Sequence, residues 1–205
     1  MTDSQASTAP KSSSRAAASA AKRRRLTAAA AQVLHQKGVE RTAIADIAQA
    51  AAVPVGNVYY YFKTKDDLVE AALSEHTARL DALTDELDRL PDPRARLTGL
   101  VDAWVSQRET AARYGCPTGT LAAELDKRDP DAPGGLDQAA AQVIRRLLAW
   151  AAGQFRELGV PDPDGHAVTL VAGYQGMSLL ANALRDPGLM TREGDRLRSW
   201  LDALG

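Results

Sequence analysis

The chain is predicted to be all-α. Apolar residues recur at i, i+3, i+4 and i+7 along most of its length, strand-like alternation is nearly absent, and proline and glycine cut the pattern into about nine helices. Its 205 residues, 45% of them hydrophobic, suffice for a small three-helix unit and a second, larger core. The expected division is an arm over residues 1–21, a three-helix unit over 22–67, and a larger helical domain over 68–205.

Residues 1–21 are rich in Ser, Ala and Thr, lack apolar periodicity, and are expected to be disordered before the cationic run Lys22-Arg23-Arg24-Arg25. A first helix is predicted over about Arg23–Lys37, burying Leu26, Ala30, Val33 and Leu34 and stopping at Gly38, a suitable C-terminal cap. A second starts after Thr42, whose hydroxyl can cap the free backbone donors, and buries Ile44, Ile47, Ala48 and Ala51. The turn falls at Ala52-Val53-Pro54, because proline fits the first turn of a helix but not its interior. A third helix then runs from about Val55 to Phe62. Val58 and Phe62 should face inward and Asn57, Tyr60 and Tyr61 outward, with Val55, Gly56 and Tyr59 near its start.

Two short helices joined by a tight turn, the second tyrosine-rich and followed by lysines, form the arrangement by which a helix-turn-helix sets side chains in a DNA major groove. Tyrosine hydroxyls can hydrogen-bond phosphate oxygens, asparagine can read adenine, and Lys63 and Lys65 add positive charge beside them. Charge is partitioned to match. Residues 1–65 hold ten lysines and arginines against three acidic residues, a formal +7, and leave −8 on residues 66–205 of a chain whose total is −1. Phosphate neutralisation by that basic end, Arg23, Arg24 and Arg25 included, would supply the nonspecific part of DNA affinity. Taken alone, the basic run has as its lesser reading a solvated surface or flexible tail.

Thr42, Asp46-Ile47-Ala48, Val53, Gly56, Val58-Tyr59 and Phe62-Lys63-Thr64-Lys65-Asp66-Asp67-Leu68 together resemble the DNA-binding domain of the TetR family of bacterial transcriptional regulators. The resemblance implies that the residues matching Thr42, Pro54, Val55, Gly56, Asn57, Tyr59, Tyr60, Tyr61 and Lys65 lie at the DNA. Three positions depart from the usual pattern. Ala52 stands where the turn often has glycine, and a left-handed backbone there would cost about 1 kcal/mol. Pro54 replaces a frequent serine, losing a side-chain cap, and Val55 a frequent lysine or polar residue, losing a phosphate contact.

Thr64 and Asp67 form a capping-box variant at the start of a fourth helix, which runs to about Leu90 with Leu68, Ala72, Leu80, Leu83 and Leu87 on its apolar side and links the two domains. Further helices are predicted at about Pro93–Arg113, Gly119–Lys127 and Leu136–Leu158, with Asp129–Gly135 as a loop. The last two, about Pro163–Arg185 and Thr191–Leu204, flank Asp186-Pro187-Gly188. Small residues including Gly173 and Gly176, with Leu180, and the stripe Leu197, Trp200, Leu201 and Leu204 suggest close helix association. In TetR-like proteins the corresponding pair builds a four-helix homodimer interface, which would present two recognition helices to a palindromic operator. The alternative is that both stripes complete the core of a single chain.

Gly115-Cys116-Pro117-Thr118-Gly119-Thr120-Leu121 is similar to a segment of a TetR subgroup that responds to drugs and flavonoid-like aromatics. Two glycines and Pro117 break the chain there, allowing a short mobile helix to gate a cavity. Trp104, Tyr114, Cys116, Leu121, Trp150, Phe155, Tyr174 and Met177 could line it, with Gln107, Gln175 and Asn182 as polar anchors, although aromatic and Met residues at helical spacing are more often core filler. As a set they favour a small apolar or aromatic effector.

The three histidines, His35, His76 and His166, have no metal-ligand spacing, and no phosphate loop or nucleophile elbow is evident, so neither catalysis nor a metal or cofactor is expected. Cys116, the sole cysteine, excludes an intrachain disulfide and fits a reducing cytoplasm. No apolar run of the roughly 20 residues that span a bilayer is evident. The expected partners are a double-stranded DNA operator, a small effector and a second copy of the chain. A helical sensor that acts through protein partners without reading DNA is the other reading.

Overall fold

The computed structural model describes residues 10–127 and 135–204, so the arm residues 1–9 and most of the Asp129–Gly135 loop lie outside the described residues. Every described element is helical: α1 (Pro10–Lys37), α2 (Ile44–Ala50), α3 (Val55–Tyr61), α4 (Lys65–Leu87), α5 (Pro93–Ser106), α6 (Arg108–Tyr114), α7 (Pro117–Leu125), α8 (Leu136–Leu158), α9 (Pro163–Leu184) and α10 (Gly188–Asp202).

Two departures from the sequence reading have local causes. Residues 10–21 are not disordered but the first turns of α1. Alanine is the strongest helix former, and the Ser19 hydroxyl donates to the Tyr61 hydroxyl at 3.3 Å, anchoring this extension to α3. The helix expected over Pro93–Arg113 divides at Gln107, which has no glycine or proline near it. There the Ser106 hydroxyl donates to the Ala103 carbonyl at 2.7 Å, and Gln107 N–H bonds the Trp104 carbonyl three residues back instead of four.

Buried side chains form two clusters. The first holds α1, α2, α3 and the start of α4 around Leu26, Ile47, Val58, Phe62 and Leu68, and reaches past residue 67 to take in Leu121 and Leu125 of α7 and Ala140 of α8. The second, around Leu97, Leu100, Phe155, Leu170, Met177, Met190 and Leu201, joins α5, α6, α8, α9 and α10. Helix α4 contributes to both. Its N-terminus is fixed as expected: Thr64 Oγ1 accepts from Asp67 N–H at 3.0 Å while Asp67 accepts from Thr64 N–H at 3.1 Å.

Helix α9 is, by length and composition only, apolar enough to cross a membrane, which the sequence reading overlooked; a third of its most apolar window is buried inside the chain. Val168, Leu179, Leu180 and Leu184 stand exposed on it, and Ala172 and Gly176 lie between them on the same face.

Candidate nucleic-acid interface and effector cavity

Helix α3 is a seven-residue helix whose inner positions are held by Val58 and Phe62, both buried. What remains outside is Pro54, Val55, Gly56, Asn57, Tyr59 and Tyr60, with Tyr59 48% and Tyr60 74% exposed. No heavy atom comes within 4 Å of where a Cβ on Gly56 would sit, so the backbone there is open to an approaching surface. Tyr61 differs from expectation. It is half-buried against the first core, its ring edge-on to Tyr60 at 5.0 Å and its hydroxyl taken by Ser19.

The turn before α3 has the strained form expected of it. Ala52 sits at φ +51°, and α3 begins at Pro54 without a side-chain cap. Thr42 does not cap α2, a correction to the sequence reading: Ala43 is the N-cap, its N–H donating to Asp46 at 2.9 Å. The Thr42 hydroxyl instead donates to the Gly38 carbonyl at 2.6 Å, and the residue is buried, so its side chain is not offered to a nucleic acid. Asp46 is held below the usual carboxylate range by Lys37, 2.8 Å away, and by Ala43 N–H; Asp67 is lowered in the same way, first by Lys63 N–H.

The cations around α3 are partly anchored. Lys63 Nζ donates to the Tyr59 carbonyl at 2.7 Å, at the negative end of α3, and Lys65 Nζ reaches the Glu40 carbonyl at 3.4 Å. The Arg23 guanidinium lies over the Phe62 ring, 5.5 Å from its centre. Arg24 and Arg25 are exposed, but consecutive helix positions are about 100° apart, so the three arginines splay around α1 and cannot all share its α3-facing side.

The larger helical body contains a cavity of about 310 Å³ between α4, α5, α7, α8 and α9. Of the expected residues it brings together Trp104, Gln107, Cys116, Tyr174 and Gln175. Trp104 and Tyr174 stack at 4.3 Å with 13° between their planes. Burial pushes the Tyr174 hydroxyl well above its ordinary range, with the Cys116 side chain adding to the shift. The Cys116 sulfur caps α7, accepting from Gly119 N–H at 3.3 Å, and takes Gln175 Nε2 at 3.6 Å.

Six expected lining residues are not in that wall. Leu121 belongs to the first core, and Phe155 and Met177 are sealed in the second, Phe155 against His166 and Trp200. Trp150 donates its indole N–H to Asp88 at 2.9 Å, Tyr114 lies edge-on to His35, and Asn182 donates to the Ala112 carbonyl at 3.2 Å. Each is turned away by a partner on a neighbouring helix that spacing along the chain does not reveal. The sequence reading missed His76, Arg79, Leu80 and Leu83, which line the cavity from α4 at i, i+3, i+4 and i+7, a spacing that would have marked them as one face. Burial, reinforced by the Arg79 charge, lowers His76 to about 4. Among the described residues no group of His, Cys, Asp and Glu could hold a metal ion.

Helix α7 spans the distance between cavity and DNA-facing unit. Pro117 and Thr118 line the cavity, while Glu124 at the other end accepts the buried Val39 N–H at 2.6 Å. A second tie joins His35 Nε2 to the Gly115 carbonyl at 2.9 Å.

Of the dimer residues, Leu201 is corrected: it is fully buried in the chain's own core and has nothing to offer a partner. Leu197, Trp200 and Leu204 also pack partly onto that core, and Gly173 serves α10 within the chain, since a Cβ there would lie 3.1 Å from Leu197. Gly176 is open and Leu180 is exposed.

Residues 26–72 match the family model for bacterial regulatory proteins of the tetR family, and residues 93–195 match that for a tetracyclin repressor-like C-terminal domain. An HTH-type transcriptional regulator from the lacX 3' region of Lactococcus lactis subsp. lactis is 28% identical over 181 residues, 85% of this chain and 90% of that protein. The transcriptional regulator AcuR of Cereibacter sphaeroides is 30% identical over 160 residues, 72% of this chain and 70% of that protein. A crystal structure of regulatory protein TetR from Rhodobacter sphaeroides superposes with a TM-score of 0.71 at 26% identity, over 86% of this chain and 96% of that one.

Proposed function

Because the chain belongs to the TetR family of bacterial transcriptional regulators, with its DNA-binding helix-turn-helix at the N-terminal end, we propose that it is a cytoplasmic homodimeric repressor that leaves a palindromic operator when a small apolar or aromatic molecule enters the cavity. Residues 22–67 form the DNA-binding domain in this reading, and residues 68–205 the effector-binding and dimerisation domain. The observation that carries it is the outer face of α3, where Asn57, Tyr59 and Tyr60 are exposed beside Lys63 and Lys65.

Pairing would occur through the open face of α9, with Gly176 and Leu180 near its middle, so that two α3 helices meet successive major-groove segments. The Gly115-Cys116-Pro117 segment, whose Cys116 and Pro117 are in the wall of the cavity, fits the drug- and flavonoid-responsive subgroup. An effector against Pro117 and Thr118 would move α7, and with it Glu124 and the turn at Val39. Only a difference in effector affinity between the DNA-bound and released arrangements can drive the switch.

The test is binding to DNA upstream of the protein's own coding region across a salt series, followed by a compound screen for release. Affinity should fall steeply with salt, and Lys65→Ala should lower the slope of log K against log salt by about one. Failure to retain any promoter fragment at low ionic strength would remove the reading in favour of a sensor acting on proteins.

A further inference from the structure

Resting on that effector reading and sharpening it, we propose that the cavity selects a flat apolar molecule bearing an anionic oxygen group, its ring system along the Trp104–Tyr174 stack and its oxygens on His76 and Arg79. Three features of the lining carry this.

The first is a polar side chain in the lining that the protein itself does not engage. His76 is only 7% exposed, lines the cavity, and has no hydrogen bond to any described residue. Its ring nitrogens are not among the fully buried, unbonded polar atoms, so they remain accessible, and a polar group that lines a cavity is positioned to bond what the cavity holds. With its basicity suppressed by burial and by the Arg79 charge, the ring acts there as a neutral hydrogen-bond donor.

The second is charge. Among the described residues of the lining Arg79, its side chain 56% exposed, is the one cation and no carboxylate accompanies it. Glu75, one turn earlier on α4 and outside the lining, engages Arg79 through Nε at 2.9 Å. The two terminal nitrogens of the guanidinium have no partner among the described residues, and these match the spacing of a carboxylate. A cationic ligand would meet Arg79, and the nearest carboxylate, Glu75, is already engaged by the Arg79 Nε.

The third is shape. The indole of Trp104 and the ring of Tyr174, stacked with their planes nearly parallel, make one wall aromatic, with Leu80, Leu83 and Leu147 closing other sides. A volume of about 310 Å³ equals roughly ten water molecules of the liquid, room for a naphthalene-sized body but not for a long lipid.

Calorimetric titration of the full chain with naphthoate, naphthamide and naphthylmethylammonium tests the assignment, because the three share a body and differ in the charge of the head. The acid should bind about tenfold or more tighter than the amide, with no heat from the ammonium ion. Arg79→Gln and His76→Phe should each reduce the acid-to-amide ratio several-fold while leaving the helical circular dichroism and operator binding in place. Arg79→Lys, which keeps the charge without the fork, should retain an intermediate ratio. Equal binding of acid and amide, or uptake of the ammonium ion, overturns the proposal and leaves the effector reading standing. Uptake of none of the three overturns it as well, and the effector reading then falls only if the compound screen also finds nothing that releases the operator.

Discussion

Ala52 holds a left-handed backbone at φ +51° that a residue with a Cβ adopts only at a cost, and its side chain is exposed, so nothing in the packing rewards it. Ala52→Gly should therefore raise stability by up to about 1 kcal/mol, the relief of strain being offset in part by the greater freedom of glycine in the unfolded chain. Urea unfolding of the two proteins measures it. His76 makes a prediction of its own. Its folded pKa, lowered from 6.5 to about 4, means that the unfolded chain takes up a proton between those values and the folded chain does not. Stability is thus fully present above pH 6.5 and is lost as pH falls through that value toward 4. The loss attributable to this one group is on the order of 3 kcal/mol across the window, and His76→Phe should flatten the corresponding part of the pH–stability curve. A slope unchanged in that variant would assign the effect to other groups.

Among the elements, α7 connects the cavity to the helix-turn-helix unit in nine residues. Its first turn is cavity wall and its last turn holds the Val39 N–H through Glu124, against Gly38, where a Cβ would lie 2.6 Å from the carboxylate. Glu124→Ala leaves a buried donor without its acceptor and should cost about 1–3 kcal/mol. In an operator-release assay the same variant should also need more effector for half-maximal release; an unchanged response would place the coupling in α4 instead. The start of α7 was expected at Gly119 and lies at Pro117, which serves as the first helical residue and not as part of the break, whereas the ends of α8 were legible, set by glycines at 135 and 159 that both adopt positive φ. The break at Gln107 was not, because it arises from a serine hydroxyl competing for a carbonyl and not from a residue that cannot be helical. The outer face of α3 could be read from spacing except at Tyr61, which packs on the first core and is bonded by Ser19. The cavity could be read only in part, because whether Trp104 lines it while Trp150 turns to Asp88 depends on which helices meet.

For the whole molecule, the exposed face of α9 is the feature with the largest consequence for assembly. Leu179 and Leu184 are each 67% exposed, on a helix otherwise apolar enough to resemble a membrane span. Covering them with a second copy accounts for both facts. The double substitution Leu180→Glu and Leu184→Glu should convert the dimer to a monomer in analytical ultracentrifugation with little loss of helicity, and should abolish binding to a full operator while sparing weak, salt-sensitive binding to a half-site. A dimer that survives it would move the interface to another surface. Helix α1 sets a different scale. As 28 residues at about 1.5 Å each it is a rod of some 42 Å. A loose tail would sample many positions along a duplex and lose that freedom on arrival. A rod pinned to Tyr61 brings Arg15, Lys22 and Arg23 already in register, so protection of the sugar-phosphate backbone should end at sharp boundaries instead of fading outward.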